Sequence, residues 1–505
     1  MTLRSLSAAV TVACCVGASS AMATNGYMSH AYSPTAKGMA GAGEAALPQD
    51  TLSLVGNPAG LTRVGRRADA GLAWFSPLRE YTGLTPSDAF CTTGCEQGAF
   101  APIGSGVDGR GSVESENNDF LIPGLGYVHP IDNVSAVGVA LFANGGMNTD
   151  YRSRDTLVFP GVGNLGTFGG ANPLANPPAY LPPDPRAGSQ IPGTRQLGGG
   201  NAGVNLEQLG ISIGYARDVA DNLSLGASFL IGYQSIEVKG VGAFQGFTQT
   251  FTQSMLESGT MQGVSPDSLS DNGKDSAWGY GFQVGGLWDV TSQLTLGLSY
   301  RTKIYMEKFD KYSDLFAEGG DFDVPAVGTI GAAFRATPDL TFALDLQQIW
   351  YGDVDAVAND NELATRCDLN AAFGMPSAPG ATYDTRYCLG GSKGAGFGWD
   401  DMTVVKLGVQ YAVNDQLTLR AGYSYGDNPI DGSQVAFNTL APAVIEEHWT
   451  IGGSYLLRDD FELSFWGMYA PENSVDGPGA FTGTQAPEIR MSQYELGVNF
   501  AWLFD

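Results

Sequence analysis

Residues 493–504 read QYELGVNFAWLF, with Tyr494, Leu496, Val498, Phe500, Trp502 and Phe504 on one parity and Gln493, Glu495, Gly497, Asn499 and Ala501 on the other. A strict period of two is the pattern of a β-strand with one apolar and one polar face. The stretch is also long enough to cross a membrane as a tilted strand, which takes about 9–11 residues. The same alternation recurs upstream. Ile211, Ile213 and Tyr215 alternate with Gly210, Ser212 and Gly214, and Leu294, Leu296, Leu298 and Tyr300 with Thr295, Gly297, Ser299 and Arg301. Fourteen such strands are expected, near residues 68–76, 119–130, 133–143, 208–219, 222–233, 277–289, 292–304, 327–337, 339–350, 402–413, 416–426, 447–458, 460–470 and 491–504.

The connections decide what these strands build. Every second one is short and polar: Asp132-Asn133, Asp218 to Asn222, Thr291-Ser292, Pro338-Asp339, Asn414-Asp415 and Asp459-Asp460, whereas the others are about 20 to 65 residues long. A soluble sandwich also alternates, but it has no reason to gather every long loop at one end. Short turns alternating with long loops, over an even number of strands, describe a transmembrane barrel. Closure is required, because an open edge in lipid leaves backbone N–H and C=O groups unpaired at several kcal/mol each. The expected fold is thus all-β, a 14-stranded antiparallel barrel over residues 67–505 with seven long outer loops. Its surroundings would be the lipid of a Gram-negative outer membrane, and a monomer is expected.

Composition narrows the function further. With 26 basic against 52 acidic residues and a net charge of −26, nucleic acid is excluded as a partner, since that binding rests on basic clusters meeting phosphates. The 70 glycines and 26 prolines exceed the usual share but fall short of a disordered low-complexity chain. Residues 1–23, MTLRSLSAAVTVACCVGASSAMA, show one Arg, an apolar stretch and the small-residue end Ala21-Met22-Ala23, the pattern of a cleaved secretory signal. After export four cysteines remain, and two local disulfides are expected, Cys91–Cys95 and Cys367–Cys388. Their spacing fits zinc poorly, so no metal and no cofactor is expected.

Residues 24–66 precede the first strand and do not alternate, yet they carry apolar positions at Met39, Leu47, Leu52, Leu54 and Leu61. Such a segment suits a hatch inside the barrel. Here NGYMSHAYSPTAKGMAGAGEAALPQDT (25–51), NPAG (57–60), EKFDKYSDLFAEGGDFDVP (307–325), GFGWDDMTVVKLGVQY (396–411) and FNTLAPAVIEEHWTIGGSY (437–455) closely resemble the outer-membrane long-chain fatty-acid transporter family, the FadL type, which includes aromatic-hydrocarbon uptake porins. The resemblance implies a 14-stranded barrel, an N-terminal hatch and passive uptake of long-chain fatty acids or similar hydrophobic molecules. These would be captured by outer loops, bound in the lumen and released sideways through the wall. The alternative is a surface adhesin or phage-receptor barrel without a transport role.

Enzymatic motifs do not stand up. Gly210–Gly214 and Gly390–Gly394 match G-x-S-x-G, but the first lies in a strand and the second in an outer loop, and only His30, His129 and His448 exist as bases. Gly198, Gly200 and Gly203 spell a dinucleotide pattern with no strand directly before it. No catalytic residue is expected.

Four groups of residues are candidates for function. Phe244, Phe247, Phe251 and Met255, and likewise Tyr305, Phe309, Tyr312 and Phe316, fall at helical spacing; the resemblance places an outer hydrophobic groove in these two loops. Strand parity puts Arg301, Lys303, Arg335, Lys406 and Arg420 towards the lumen, where Asp345, Glu462 and Glu495 can balance them. Lys406 and Arg420 are the candidates for a ligand headgroup, since a carboxylate leaving water needs a cationic partner. Asn57, Pro58, Ala59 and Gly60 form a stiff turn, assigned with Gly138 to the gate. In the family the hatch moves and ligand leaves through a kink in the third strand, so Thr24 to Ala31 should shift and exit should lie near Gly138.

Overall fold

A computed structural model of the protein describes residues 24–82, 112–151, 202–259, 263–374, 380–477 and 488–504. The expected signal segment, the Cys91–Cys95 pair and Gly198 and Gly200 lie outside these residues. Fourteen strands form one closed antiparallel barrel: β1 Arg67–Thr82, β2 Phe120–Pro130, β3 Ser135–Asn148, β4 Gly203–Ala220, β5 Leu223–Lys239, β6 Asp275–Asp289, β7 Leu294–Arg301, β8 Val327–Arg335, β9 Leu340–Ile349, β10 Met402–Ala412, β11 Leu417–Gly426, β12 Glu447–Arg458, β13 Phe461–Asp476 and β14 Glu488–Leu503. Each pairs with the next, and β14 returns to β1 with Arg67 opposite Leu503 and Thr82 opposite Glu488. Two short pieces, Val113–Glu114 and Tyr305–Met306, extend the ladder towards the long-loop rim. All fourteen expected strands are present.

Parity sorts the side chains as the alternation requires. Along β14, Tyr494, Leu496, Val498, Phe500 and Trp502 are exposed on the outer face, while Gln493, Glu495, Asn499 and Ala501 are fully buried. No described helix is long and apolar enough to cross a membrane. The apolar girdle is therefore built by strands alone.

The lumen is filled from the N-terminus. No residue from 24 to 61 is exposed, and one-turn helices at Pro34–Lys37, Ser53–Gly56 and Leu61–Val64 fold this segment against the inner wall. Asp50 organises it, accepting from Ser33 Oγ at 2.6 Å, Thr35 Oγ1 at 2.8 Å and the Leu52 and Ser53 N–H groups at 3.0 and 3.2 Å. The wall makes room with glycine: a Cβ on Gly422 would lie 2.0 Å from the Met39 carbonyl carbon. Hatch backbone and barrel backbone are in direct contact there.

Candidate functional site

The hatch is pinned over most of its length. Lys37 Nζ donates to Glu495 Oε1 at 2.6 Å, and the Trp466 indole N–H donates to the same oxygen at 2.5 Å. Lys406 Nζ donates to the His30 carbonyl at 2.8 Å and lies 3.7 Å from Glu44. Asp345 accepts from the Ala45 N–H at 3.1 Å, and Arg420 donates to Gln49 Oε1 at 2.9 Å. The Asn57 side chain donates to the Ala45 and Gly286 carbonyls and accepts from the Ala59 N–H, capping the Pro58–Gly60 turn. That turn sits so close to the wall that a Cβ on Gly226 would lie 2.4 Å from Ala59 N. His30 is fully buried with both ring nitrogens unpartnered; burial, with Lys37 nearby, holds it well below its ordinary pKa and therefore neutral.

Among the described residues the pairing of β2 with β3 is interrupted. β2 and β3 pair only from Gly124 opposite Phe142 to Pro130 opposite Ala136. Beyond Phe142, β3 stays on β4 through a register shift between Ala143 and Gly145, while β2 stays on β1 through Ile122 and Phe120. The edge of β3 left free is taken by the hatch tip: the Ser29 N–H donates to the Asn144 carbonyl at 3.0 Å and the Gly146 N–H to the Tyr27 carbonyl at 2.8 Å. Met28 thus stands opposite Gly145 like a strand residue. Further out the opening is closed by Ser115, whose hydroxyl accepts from the Asp150 N–H. A buried apolar cluster that includes Phe75, Phe120, Ile122, Ala143 and Trp466 lines the window. A cavity of about 30 Å³ beside it touches Lys37 and Phe142 on the lumen side and the lipid-facing Leu72.

Above the hatch tip lies an aromatic column. Tyr27 is within 5.2 Å of Tyr351, 5.7 Å of Trp399 and 6.2 Å of Phe322, ring centre to ring centre. The Tyr351 hydroxyl donates to the Asn25 carbonyl at 2.6 Å. Outward of the column an apolar cavity of about 30 Å³ is lined by Phe244, Phe316, Phe397 and Phe437. Arg301 stands below, with Nη1 3.1 Å from both the Tyr32 hydroxyl and Asn144 Oδ1.

The candidates fall differently from their expected grouping. Phe244 and Met255 are buried and Phe247 and Phe251 half-buried, but the run is broken at Thr248 into a 3-10 turn, Gly242–Phe247, and a helix, Gln249–Ser258. The second run is no helix. Tyr305 pairs with Tyr280 on the barrel exterior and is 54% exposed, whereas Phe309, Tyr312 and Phe316 are buried around a short 3-10 turn, Asp310–Tyr312. Glycines at 319 and 320, both at positive φ, turn that loop back on itself, so its aromatics pack inward instead of forming a stripe. Cys367 and Cys388 are joined. Their loop is held to the Gln249–Ser258 helix, with the Gln249 N–H donating to the Leu389 carbonyl at 2.8 Å and the Leu389 N–H to the Phe247 carbonyl at 2.9 Å.

Lys406 and Arg420 face the lumen as expected, but the hatch and neighbouring strands occupy them: Arg420 also donates to Gln410 and Ser454. Arg335, also expected in the lumen, is exposed near the short-turn end. Asn57 to Gly60 form an anchor, buried and bonded to the wall. Gly138 is sealed, paired with Val128 and Gly214 and in van der Waals reach of Leu61; the break lies further along, at Ala143 to Asn148. Asn144 and Pro123 were missed, while Arg301 was placed in the lumen but not among the candidates for the site. Pro123 was the available signal: a proline cannot donate to a ladder and marks a strand edge, and it sits on β2 where β3 departs.

Known proteins share this architecture. The family model described as outer membrane protein transport protein (OMPP1/FadL/TodX) matches residues 14–161 and 193–465. Among curated relatives, the long-chain fatty acid transport protein of Escherichia coli K12 is 22% identical over 95% of this chain and 94% of its own. That of Salmonella typhi is 21% identical over the same shares. Among solved structures, the Pseudomonas putida toluene transporter TodX superposes with a TM-score of 0.59 at 19% identity, covering 95% of this chain and all of that one. A Pseudomonas aeruginosa FadL homologue gives 0.59 at 16%, with the same coverage. With the family model spanning both the hatch and nearly all of the strands, the plugged barrel described above is an outer-membrane protein of the OMPP1/FadL/TodX transport family.

Proposed function

We propose that this chain carries long-chain fatty acids or similarly apolar molecules passively across the outer membrane, releasing them sideways into the lipid through the window between β2 and β3. One observation supports this above the others: the missing stretch of β2–β3 ladder is replaced by the hatch tip, residues 27–29, at the foot of an apolar column. A wall strand cannot leave a barrel in lipid without exposing its backbone groups. A hatch tip can, because it returns to the lumen. The backbone of the tip is held by the neutral groups Tyr351, Asn144 and Gly146, whereas buried ion pairs help to hold the hatch behind it. The tip is the part that ligand displaces.

Capture falls to the half-buried Phe247 and Phe251. Phe309 is fully buried, and its truncation would cost about 3–5 kcal/mol of packing, confusing folding with binding. A strain lacking its own transporter should gain uptake when it carries this gene, tested with fatty acids, alkanes and alkylbenzenes. Phe247→Ser with Phe251→Ser should weaken ligand capture about tenfold or more, as expected for losing two aromatic anchors, with the barrel assembling normally. No uptake of any apolar compound by the correctly inserted protein would overturn the reading.

A further inference from the structure

The third, fourth and fifth long loops, residues 240–274, 302–326 and 350–401, meet at three residues of the fifth. Leu389 exchanges backbone hydrogen bonds with the third loop: its N–H donates to the Phe247 carbonyl at 2.9 Å, and its carbonyl accepts from the Gln249 N–H at 2.8 Å, at the start of the Gln249–Ser258 helix. Gly390 and Gly391 serve the fourth loop. Their carbonyls accept from the Gly319 N–H at 3.1 Å and the Glu318 N–H at 2.9 Å. This close approach needs glycine, because residue 390 sits at φ 80° and a Cβ there would lie 2.7 Å from the Ser313 carbonyl oxygen. The third and fourth loops also touch each other at Asp314, which accepts from Thr250 Oγ1 at 2.5 Å and from the Ser268 N–H at 3.1 Å. A single junction lets two loops pivot. The second junction, through residues 389–391, fixes the angle between them.

Residues 389–391 are in turn held by the bridge directly before them. Cys388 is joined to Cys367 over a separation of 21 residues, and both are buried. The bridge packs against the third loop, with Cys367 Sγ 3.6 Å from the Phe247 carbonyl oxygen and Cys388 Sγ 3.6 Å from Thr252 Oγ1. A covalent link across a long loop removes alternative conformations of that loop, and a surface ordered in advance binds more tightly because less ordering is left for the moment of binding. Phe247 and Phe251 stand on one of the two loops so joined. We propose that the Cys367–Cys388 bridge and the segment Leu389–Gly391 are positioning residues of the outer capture site: they act by setting the third loop against the fourth, and not by touching cargo. This rests on the transport reading above, and adds to it the element of the fifth loop that shapes the entrance.

The test uses the full chain with Cys367→Ala and Cys388→Ala together, and separately with Gly390→Val, which keeps the bridge but drives a side chain against Ser313. Hydrogen exchange of the ligand-free protein in nanodiscs should rise at residues 247–258 and 313–320 in both variants, and stay at the wild-type level in the strands. In a strain lacking its own transporter, the half-saturating concentration for uptake of palmitate and toluene should rise about tenfold, the scale expected for losing a preordered surface. The maximal rate should stay within about twofold of wild type. A bridge that only stabilises the fold would lower heat resistance and leave half-saturation unchanged; that result in the assembled double variant would overturn the proposal. So would a fall in maximal rate at constant half-saturation, or exchange that rises only within residues 363–388. If the double variant fails to assemble, Gly390→Val decides by the same readings. No uptake by the wild type would overturn transport and the capture role together, whereas exchange in the variants would still show whether the fifth loop joins the other two.

Discussion

Joining Ile122→Cys to Ala143→Cys with a short, reducible bis-thiol reagent should cut apolar uptake by roughly tenfold or more, because passage past a tied gate becomes limiting. Both residues belong to the apolar cluster in the window and line the same cavity. The reagent would tie β2 to β3 where their own hydrogen bonds stop. Capture at the outer loops should be unaffected, since Phe247 and Phe251 lie on a different part of the chain. Reduction of the linker should return uptake to the untreated rate, and Ile122→Cys alone should show no response to the reagent. Uptake that persists at full rate in the tied protein would place the exit elsewhere.

The second large effect concerns the buried ion pair that fixes the hatch. Glu495→Ala leaves Lys37 as an uncompensated charge among buried groups, which costs about 3–5 kcal/mol. It also removes the acceptor of the Trp466 indole N–H. The hatch should then open to protease around residues 34–46, and the cell should become permeable to small hydrophilic antibiotics that the plugged barrel excludes. Replacing both partners, Lys37→Met with Glu495→Leu, should cost far less than the single change, because no lone charge stays behind. A double variant as leaky as Glu495→Ala would show that packing, not charge, seats the hatch at this point. The two sets of variants separate the proposed exit seam from the anchored part of the plug.

The barrel was legible because lipid leaves so few choices. A strand that faces hydrocarbon on one side must alternate, and its neighbours must follow, so all fourteen strands could be read from parity and most of their short turns from Asp and Asn. The lumen was only half legible. Parity placed Arg301 and Lys406 inside, but which of them lacks an acid depends on partners far away in the chain, such as Glu44 for Lys406 and Glu495 for Lys37. No periodicity carries that information. The spacing of Tyr305, Phe309, Tyr312 and Phe316 misled for a related reason: apolar residues of a compact loop recur at similar intervals when they all turn inward. The expected break in the wall was sought among small residues, Gly138 among them, whereas the interruption of the β2–β3 pairing was marked by Pro123 and by Asn144-Gly145-Gly146. Small side chains near the hatch serve close packing, as Leu61 against Gly138 shows.

The two seams flanking the first hairpin carry unequal loads. β1 and β14 are joined by sixteen unbroken residue pairs, whereas β2 and β3 share seven, continued by the hatch tip and, further out, by the contact of Ser115 with Asp150. Chain closure and the proposed exit thus fall on different joints, one strand apart. During assembly the terminal strands can zip into a fastening that needs no reopening for the life of the protein. Under heat, lateral pressure or pulling, the tear should start at the weaker joint and run along β3, with the terminal closure the last to part.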